Sequence, residues 1–498
     1  MYFARIPLKT SPHIVNGNAL TLDWNDVLPA ERASYVLGNP PFIGHHLQTP
    51  AQKAEMLAVY GSDAKAAGVM DYVTAWYCKA VEYIQETAIK VAFVSTNSIT
   101  QGEQVGILWR ALLRRNPLYL HFAHRTFQWS NEARGKAAVY CVIIGFGAFD
   151  TDSKVIFEYD SPDGEPHAVP VKQINAYLVD APWIFVENRS RNPFGKPEMM
   201  YGSKPTDGGH FLFTDEQKEA FLDVEPEAEK FIKPFISAHE YLHGEKRWVL
   251  WLVGASPSEI NALPKVKERV HAVDEFRKAS KAESTRAYPY PTLFRQVTQP
   301  KQEYVLIPGH SSENRAFIPF GFFDKDHIVG NSCFALPGAS LFHFGVIQST
   351  MHMAWVRAVC GRLESRYRYS KDIVYNNFPW PETPSDSPLS GGEQSSGSSP
   401  DKGRLGGVKV AAVEAAAQAV LDARAQFPQS SLADLYDPLT MPPALVKAHQ
   451  TLDRAVDACY RKAAFASDAQ RVEFLFERYQ QLTSLLPAAS VKKSRKKT

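Results

Sequence analysis

Short β-rich runs and one-faced helical runs alternate along roughly the first 150 residues. The β-rich runs are His13 to Val15, Tyr35 to Leu37, Val91 to Ser95, Leu118 to Phe122 and Val139 to Phe146. Between the second and third of these, Val73, Trp76, Tyr77, Ala80, Val81 and Ile84 follow the spacing of one apolar helix face. Strands that alternate with helices predict an α/β domain with a mainly parallel sheet over residues 1–175, with this helix packed on it.

The texture then changes. Over 176–380 aromatic residues, Pro and Gly are dense, and short runs such as Trp248 to Val253, Tyr304 to Ile307 and Phe317 to Phe320 read as strands of a second, α+β domain. Thr214 followed by Gln217 predicts a capping box opening an acidic helix through about Lys230, and a helical pattern runs from about Leu341 to Arg362. The Ser-, Gly- and Pro-rich stretch 381–407 has too few apolar groups to offset chain entropy and reads as a flexible linker. Beyond it, Val413, Ala416, Ala417, Val420 and Leu421, then Leu445, Ala448, Leu452 and Val456, then Val472, Leu475, Tyr479, Leu482 and Leu486 predict three helices of a bundle over 408–487. A basic tail over 488–498 carries Lys492, Lys493, Arg495, Lys496 and Lys497.

Composition narrows the class. With 498 residues, 45% hydrophobic and 22% charged, the chain is an ordinary multi-domain globular protein and no small stapled scaffold. The net charge of +2 excludes a global field, so any polyanion site is a local patch. Cys78, Cys141, Cys333, Cys360 and Cys459 form no C-x-x-C pair, which argues against a disulfide framework or zinc ribbon and for a reducing compartment. No apolar run reaches the ~20 residues of a membrane span, and the N-terminus lacks a signal-peptide pattern. A cytoplasmic location is the expectation.

The chemistry concentrates in Asn39-Pro40-Pro41-Phe42, directly after the strand-like Tyr35-Val36-Leu37-Gly38. Two prolines stiffen the loop, so the Asn39 side chain and the Pro40 carbonyl can face one space and accept hydrogen bonds from an exocyclic amine. Phe42 offers a face for a planar ring, a contact worth ~1–3 kcal/mol for a nucleobase. An amine held this way attacks an electrophilic methyl group in line without metal or strong base. On these residues alone, a rigid turn ending a strand is an equal reading.

This loop resembles the catalytic loop of the amino-methylating, S-adenosylmethionine-dependent DNA methyltransferases that act on adenine N6. The likeness extends to Asn16-Gly17-Asn18-Ala19-Leu20 with Asp23-Trp24, to Asp71-Tyr72-Val73, to Val91 through Ser98, and to Phe127-Gln128-Trp129-Ser130-Asn131-Glu132-Ala133. It implies that Asn39, Pro40, Pro41 and Phe42 are catalytic, that Phe127 and Trp129 stack beside the flipped base, and that Asn18 meets the cofactor adenine. Arg366-Tyr367-Arg368-Tyr369-Ser370 and Asn376-Asn377-Phe378-Pro379-Trp380-Pro381 are similar to the end of the target-recognition domain in MmeI-like restriction-modification enzymes. That likeness implies double-stranded DNA as partner. Arg362, Glu364, Arg366, Arg368 and Lys371 are the DNA-contact candidates; Glu364 can accept from cytosine N4, and an internal salt bridge to Arg366 or Arg368 is an equal reading.

One departure shapes the expectation. The family places a strand, a glycine-rich turn and a second strand ending in an acid ahead of the matched segment, and 38 residues precede Asn39. The expected fold is therefore an incomplete Rossmann-like methyltransferase sheet followed by a recognition domain and a helical C-terminus, with a separate N-terminal methyltransferase fragment as a conceivable partner. Two other functions stay open: a non-catalytic DNA-binding remnant, and a protein or RNA amino-methyltransferase. Val142 to Gly147 carries a G-x-G after a strand, but continues into Lys154 to Tyr159 and reads as a hairpin. His45-His46 lacks metal-ligand spacing; no metal site and no nuclease carboxylate-lysine cluster is expected.

Overall fold

The computed structural model describes residues 12–129, 139–363, 365–382 and 400–484. The chain divides into two compact units, Met1–Val186 and Glu187–Thr498. The first extends past residue 175 because its last segment folds back on a helix: Trp183 packs edge-on against Trp109 at 5.8 Å, and Arg110 lies over Phe185 at 5.2 Å.

In chain order the first unit contains β1 (Tyr35–Gly38), α1 (Pro50–Tyr60), α2 (Thr74–Tyr83), β2 (Lys90–Thr96), α3 (Glu103–Arg115), β3 (Tyr119–Trp129), β4 (Val139–Gly147), β5 (Lys154–Tyr159) and β6 (Pro166–Val171). The sheet order is β1-β2-β4-β3-β5-β6. Only β1 with β2 and β3 with β5 pair in parallel; β2 with β4, β4 with β3 and β5 with β6 are antiparallel. This corrects the expectation of a mainly parallel sheet: β4 enters reversed between β2 and β3. Strands β1, β2, β3 and β5 nevertheless share one direction, so their carboxyl ends lie at one edge, where α/β sheets bind ligands. Two smaller expectations also change. His13 to Val15 forms no strand, and β4 makes no hairpin with β5, because β3 lies between them.

The predicted helix face of α2 packs as its spacing requires. Tyr77 is fully buried, meets Phe93 of β2 at 5.3 Å, stacks on Phe146 of β4 at 5.5 Å, and its hydroxyl pairs with Ser95 Oγ at 2.7 Å. Val105, Leu108, Trp109 and Leu112 make the matching stripe on α3, whose N-cap Gly102 sits at φ +65°, open to glycine at no steric cost. Each fully buried apolar side chain of this kind contributes roughly 1.5–3 kcal/mol before chain entropy is counted.

The second unit holds two four-stranded sheets and one three-stranded sheet among the described residues. The capping box at Thr214 is present, but its helix α4 (Asp215–Val224) stops before Pro226 rather than reaching Lys230; Pro226 opens a separate 3-10 turn. Strand β8 (Trp248–Leu250), paired with β7 (Ile232–Ile236), and strand β9 (Tyr304–Pro308) stand where expected, whereas Phe317 to Phe320 is irregular and the strand there is Gly321–Phe323. The pattern from Leu341 splits into α5 (Leu341–Ile347) and α6 (Thr350–Val359), because Ser349 caps the second helix through His352 N–H, and residues 361–363 are strand instead. Helix α7 (Pro400–Ala425) begins inside the stretch 381–407 read as linker. With α8 (Pro443–Tyr460) and α9 (Asp468–Ser484), it buries the predicted stripe residues Val413, Val420, Leu445, Leu452, Val456, Val472, Leu475 and Tyr479. Leu486 and the basic tail lie outside the described residues. Among the described residues, no helix is long and apolar enough to cross a membrane.

Candidate functional site

Asn39-Pro40-Pro41-Phe42 leaves the carboxyl end of β1. A Cβ on Gly38 would stand 3.1 Å from the Phe93 ring, so glycine lets β1 turn tightly over β2. Pro40 is buried, Phe42 half-buried and Asn39 exposed, which leaves the Asn39 amide open to a ligand while the proline holds the loop down.

The segment after the loop is anchored from several elements. Ile43 N–H donates to Asp71 Oδ1 at 3.2 Å, and Val73 N–H donates to the same oxygen at 3.2 Å. The Ile43 carbonyl accepts from Tyr72 N–H at 3.0 Å and from Gln48 Nε2 at 3.1 Å, and Gln48 also donates to the Met70 carbonyl. Burial pushes the Asp71 carboxyl up, against the opposing pull of hydrogen bonds from Val73, Ile43 and the Thr96 side chain. Asp71 therefore ties the loop after β1, the start of α2 and the end of β2 together. Its signal in the sequence was present, since Asp71-Tyr72-Val73 opens the helix, but its partner Ile43 is not legible from spacing.

Asn18 is exposed. Its Oδ1 accepts from Leu20 N–H at 3.0 Å and its Nδ2 donates to Glu55 Oε1 at 2.8 Å; Tyr72 OH donates to the other Glu55 oxygen. Sequence reasoning missed Glu55, which lies on α1 with no motif around it.

Phe127 and Trp129 end β3. One extra residue of β3 is inserted between His124 and Phe127 relative to β4, and this bulge turns Phe127 and Trp129 to the face that carries His124. The result is an aromatic strip. His124 stacks on Phe157 at 4.2 Å, Phe127 stacks on Tyr159 at 5.5 Å, and Trp129 stands 6.2 Å from Phe127. Phe127 is half-buried with one face taken by Tyr159, whereas Trp129 is 43% exposed. Ser130 to Ala133 lie outside the described residues. The bulge itself has no sequence signature.

In the second unit the arginine-tyrosine segment forms a three-stranded sheet of β10 (His310–Ser311), β11 (Gly361–Leu363) and β12 (Arg366–Arg368), with β12 central. Along β12, Arg366 and Arg368 are exposed and Tyr367 is buried. Arg362 lies opposite Tyr367 on the inner face, its guanidinium 3.8 Å from the ring, donating to the Ser365 carbonyl at 2.9 Å. The sheet thus separates Arg362 from Arg366 and Arg368. Lys371 Nζ pairs with Asp372 at 2.7 Å, its side chain only 13% exposed, and donates to the Ser190 carbonyl at 3.2 Å. It is tied into the protein rather than presented. Glu364 lies outside the described residues.

The Asn376-Asn377 segment is a bracket. Fully buried Asn377 accepts from Arg189 Nε at 2.8 Å and Tyr479 OH at 3.0 Å, and donates to the Glu187 and Asp372 carbonyls at 2.7 and 2.8 Å. Asn376 donates to the Arg189 carbonyl at 2.6 Å.

The chain is similar to known proteins along most of its length. Residues 2–158 match the family model of the MmeI DNA-methyltransferase domain, 180–382 that of the MmeI target recognition domain, and 407–487 that of the MmeI C-terminal domain. The chain is 36% identical over 482 residues to DNA methyltransferase A of Bacillus subtilis (strain 168), covering 96% of this chain and 51% of that protein. The solved structure of the Type IIL restriction-modification enzyme MmeI in complex with DNA is similar with a TM-score of 0.83 and 50% identity, over 97% of this chain and 62% of that one. In chain order the three matched segments are the methyltransferase, target recognition and C-terminal domains of one DNA-methyltransferase family. The chain belongs to the MmeI family, and it spans about half the length of the curated relative it matches.

Proposed function

We propose that the chain is the methyl-transferring and sequence-reading part of an adenine-N6 DNA methyltransferase acting on duplex DNA with S-adenosylmethionine. The observation that carries this reading is the anchored Asn39–Phe42 loop at the same sheet edge as Phe127 and Trp129. The Asn39 oxygen and the Pro40 carbonyl accept the two N–H groups of a flipped adenine amine, which orients its lone pair outward. Phe42 stacks on the base, and Trp129, the more exposed of the β3 pair, covers its free side. Unstacking the base from the duplex costs a few kcal/mol, and these contacts offset it.

The residues present also fit the adenosine end of the cofactor. After its bonds to Leu20 and Glu55, Asn18 keeps one N–H and one lone pair, the donor-acceptor set that an adenine edge needs. S-adenosylmethionine supplies an electrophilic methyl group when bound; this chain's part is to hold the amine in line and exclude water.

A further methyltransferase segment pairing along β1 belongs to the same proposal. Among the described residues β1 pairs on one side only, and its Tyr35 and Leu37 are 66% and 75% exposed. Open edges of that composition invite another strand. Beside it lies an apolar hollow of about 310 Å³ lined by Val15, Leu22, Trp24, Val36 and Tyr83.

The test is transfer of labelled methyl groups to unmethylated DNA by the full chain, alone and with a separate N-terminal methyltransferase fragment of an MmeI-family protein added, followed by hydrolysis and identification of the modified base. N6-methyladenine is expected, and Asn39→Ala should lower the rate on the order of 100-fold or more. Methylation of cytosine, or normal rates with Asn39→Ala, would overturn the assignment.

A further inference from the structure

Strand β10 flanks β12 on the side away from β11, pairing His310 with Arg368 and Ser311 with Tyr367. Ser311 and Tyr367 are both buried, whereas His310 and Arg368 are both exposed, so the pair lies on the outer face together with Arg366. The Gly309 carbonyl accepts from Tyr369 N–H at 2.9 Å. The His310–Arg368 pair is therefore of the non-hydrogen-bonded kind, whose side chains stand close, with Cβ atoms about 4.5–5.5 Å apart. On its other flank Arg368 faces Gly361, which has no side chain. Across the sheet this row presents two side chains, an imidazole and a guanidinium.

The separation matters because successive base pairs rise by about 3.4 Å. Two side chains standing roughly 5 Å apart on one rigid sheet can reach neighbouring base pairs. Partial desolvation by the sheet, with the charges of Arg368 and Arg366, pushes the imidazole down from its usual value and favours the uncharged ring, which carries one N–H and one bare nitrogen. A neutral ring adds nothing to phosphate attraction, but its N–H matches the N7 acceptor on the major-groove edge of a purine.

We propose that His310 reads a base, contacting the base pair next to the one that Arg368 faces. The inference rests on the DNA-reading role proposed for the second unit, and nothing in the sequence motifs singles His310 out.

Selection of binding sites from randomised duplexes by the full chain, compared with His310→Ala and His310→Gln, tests it. The Ala variant should relax the preference at one position by about tenfold with the salt dependence of binding unchanged. The Gln variant should shift that position toward adenine, since a side-chain amide pairs with adenine N6 and N7. Gln also preserves size and polarity, so its shifted preference is readable even if the Ala variant folds poorly. An identical selected sequence for both variants overturns the inference and leaves the DNA-reading role standing, as does uniform weakening at all positions with a flatter salt slope. If the unmodified chain selects no sequence, the DNA-reading role itself fails and the inference falls with it.

Discussion

Oδ1 of Asp71 accepts the backbone N–H of Ile43 at 3.2 Å across 28 residues of sequence. Because the same oxygen also accepts from Val73 N–H, a single carboxylate sets the start of α2 and the exit of the Asn39–Phe42 loop. Helix and loop are thereby placed by one group, and the candidate site inherits the rigidity of the helix.

Removing that acceptor should loosen the loop. Asp71→Ala leaves the buried Val73 N–H and the half-buried Ile43 N–H without their partner, at about 1–3 kcal/mol for a buried group. Hydrogen exchange in peptides spanning residues 39–49 should speed up about tenfold or more, while α3 is unaffected. Asp71→Asn, which retains an oxygen acceptor, should fall in between. Unchanged exchange in the Ala variant would mean that Gln48 and Tyr72 hold the loop by themselves.

Gly145 and Phe122 are cross-strand partners, and a Cβ on Gly145 would lie 2.1 Å from the Phe122 ring. Gly145→Ala should destabilise the first unit by roughly 2 kcal/mol or more, as overpacking of a filled core does. Adding Phe122→Leu should recover part of the loss. A purely additive double mutant in chemical denaturation would contradict this account.

Arg362 and Arg366 should behave differently toward DNA. If Arg366 holds a phosphate, Arg366→Ala flattens the dependence of log affinity on log salt by about one. Arg362 packs on Tyr367 and braces the turn through Ser365, so Arg362→Ala should weaken binding without altering that slope. Equal slope changes for both would place Arg362 against the backbone of DNA as well.

Asp453 gives a pH signature. It accepts the N–H and hydroxyl of Thr350 at the start of α6, and burial pushes its carboxyl up to about 6, with those hydrogen bonds opposing the rise. Since the folded carboxyl binds its proton more tightly than the unfolded one, its contribution to stability is full below about pH 4 and is lost as pH rises through about 6. The loss is of order 3 kcal/mol. Asp453→Asn should therefore be relatively more stable than the parent at pH 7 than at pH 4. Thermal unfolding of both proteins across that range checks it, and parallel curves would count against a buried carboxylate.

What was legible in the sequence is local. The apolar face of α2, the stripes of α7 to α9, the capping box at Thr214 and the Asn-Pro-Pro-Phe turn at the end of β1 each depend on residues within one or two turns of one another, where periodicity and backbone chemistry act directly. The resemblance to the MmeI family rests on such contiguous runs as well. Strand order and register are not local. That β4 runs backwards between β2 and β3, that a bulge brings Phe127 and Trp129 to the His124 face, and that Asp71 reaches Ile43 follow from which strands find each other, and a period of two says nothing about the neighbour. The same holds for the arginine-tyrosine segment. Its arginines and tyrosines are neighbours in the sequence, but only the pairing of β10, β11 and β12 placed Arg362 inside on Tyr367 and His310 outside beside Arg368. The half-buried ion pair likewise turned Lys371 toward Asp372, because a charge leaving water takes the nearest opposite partner.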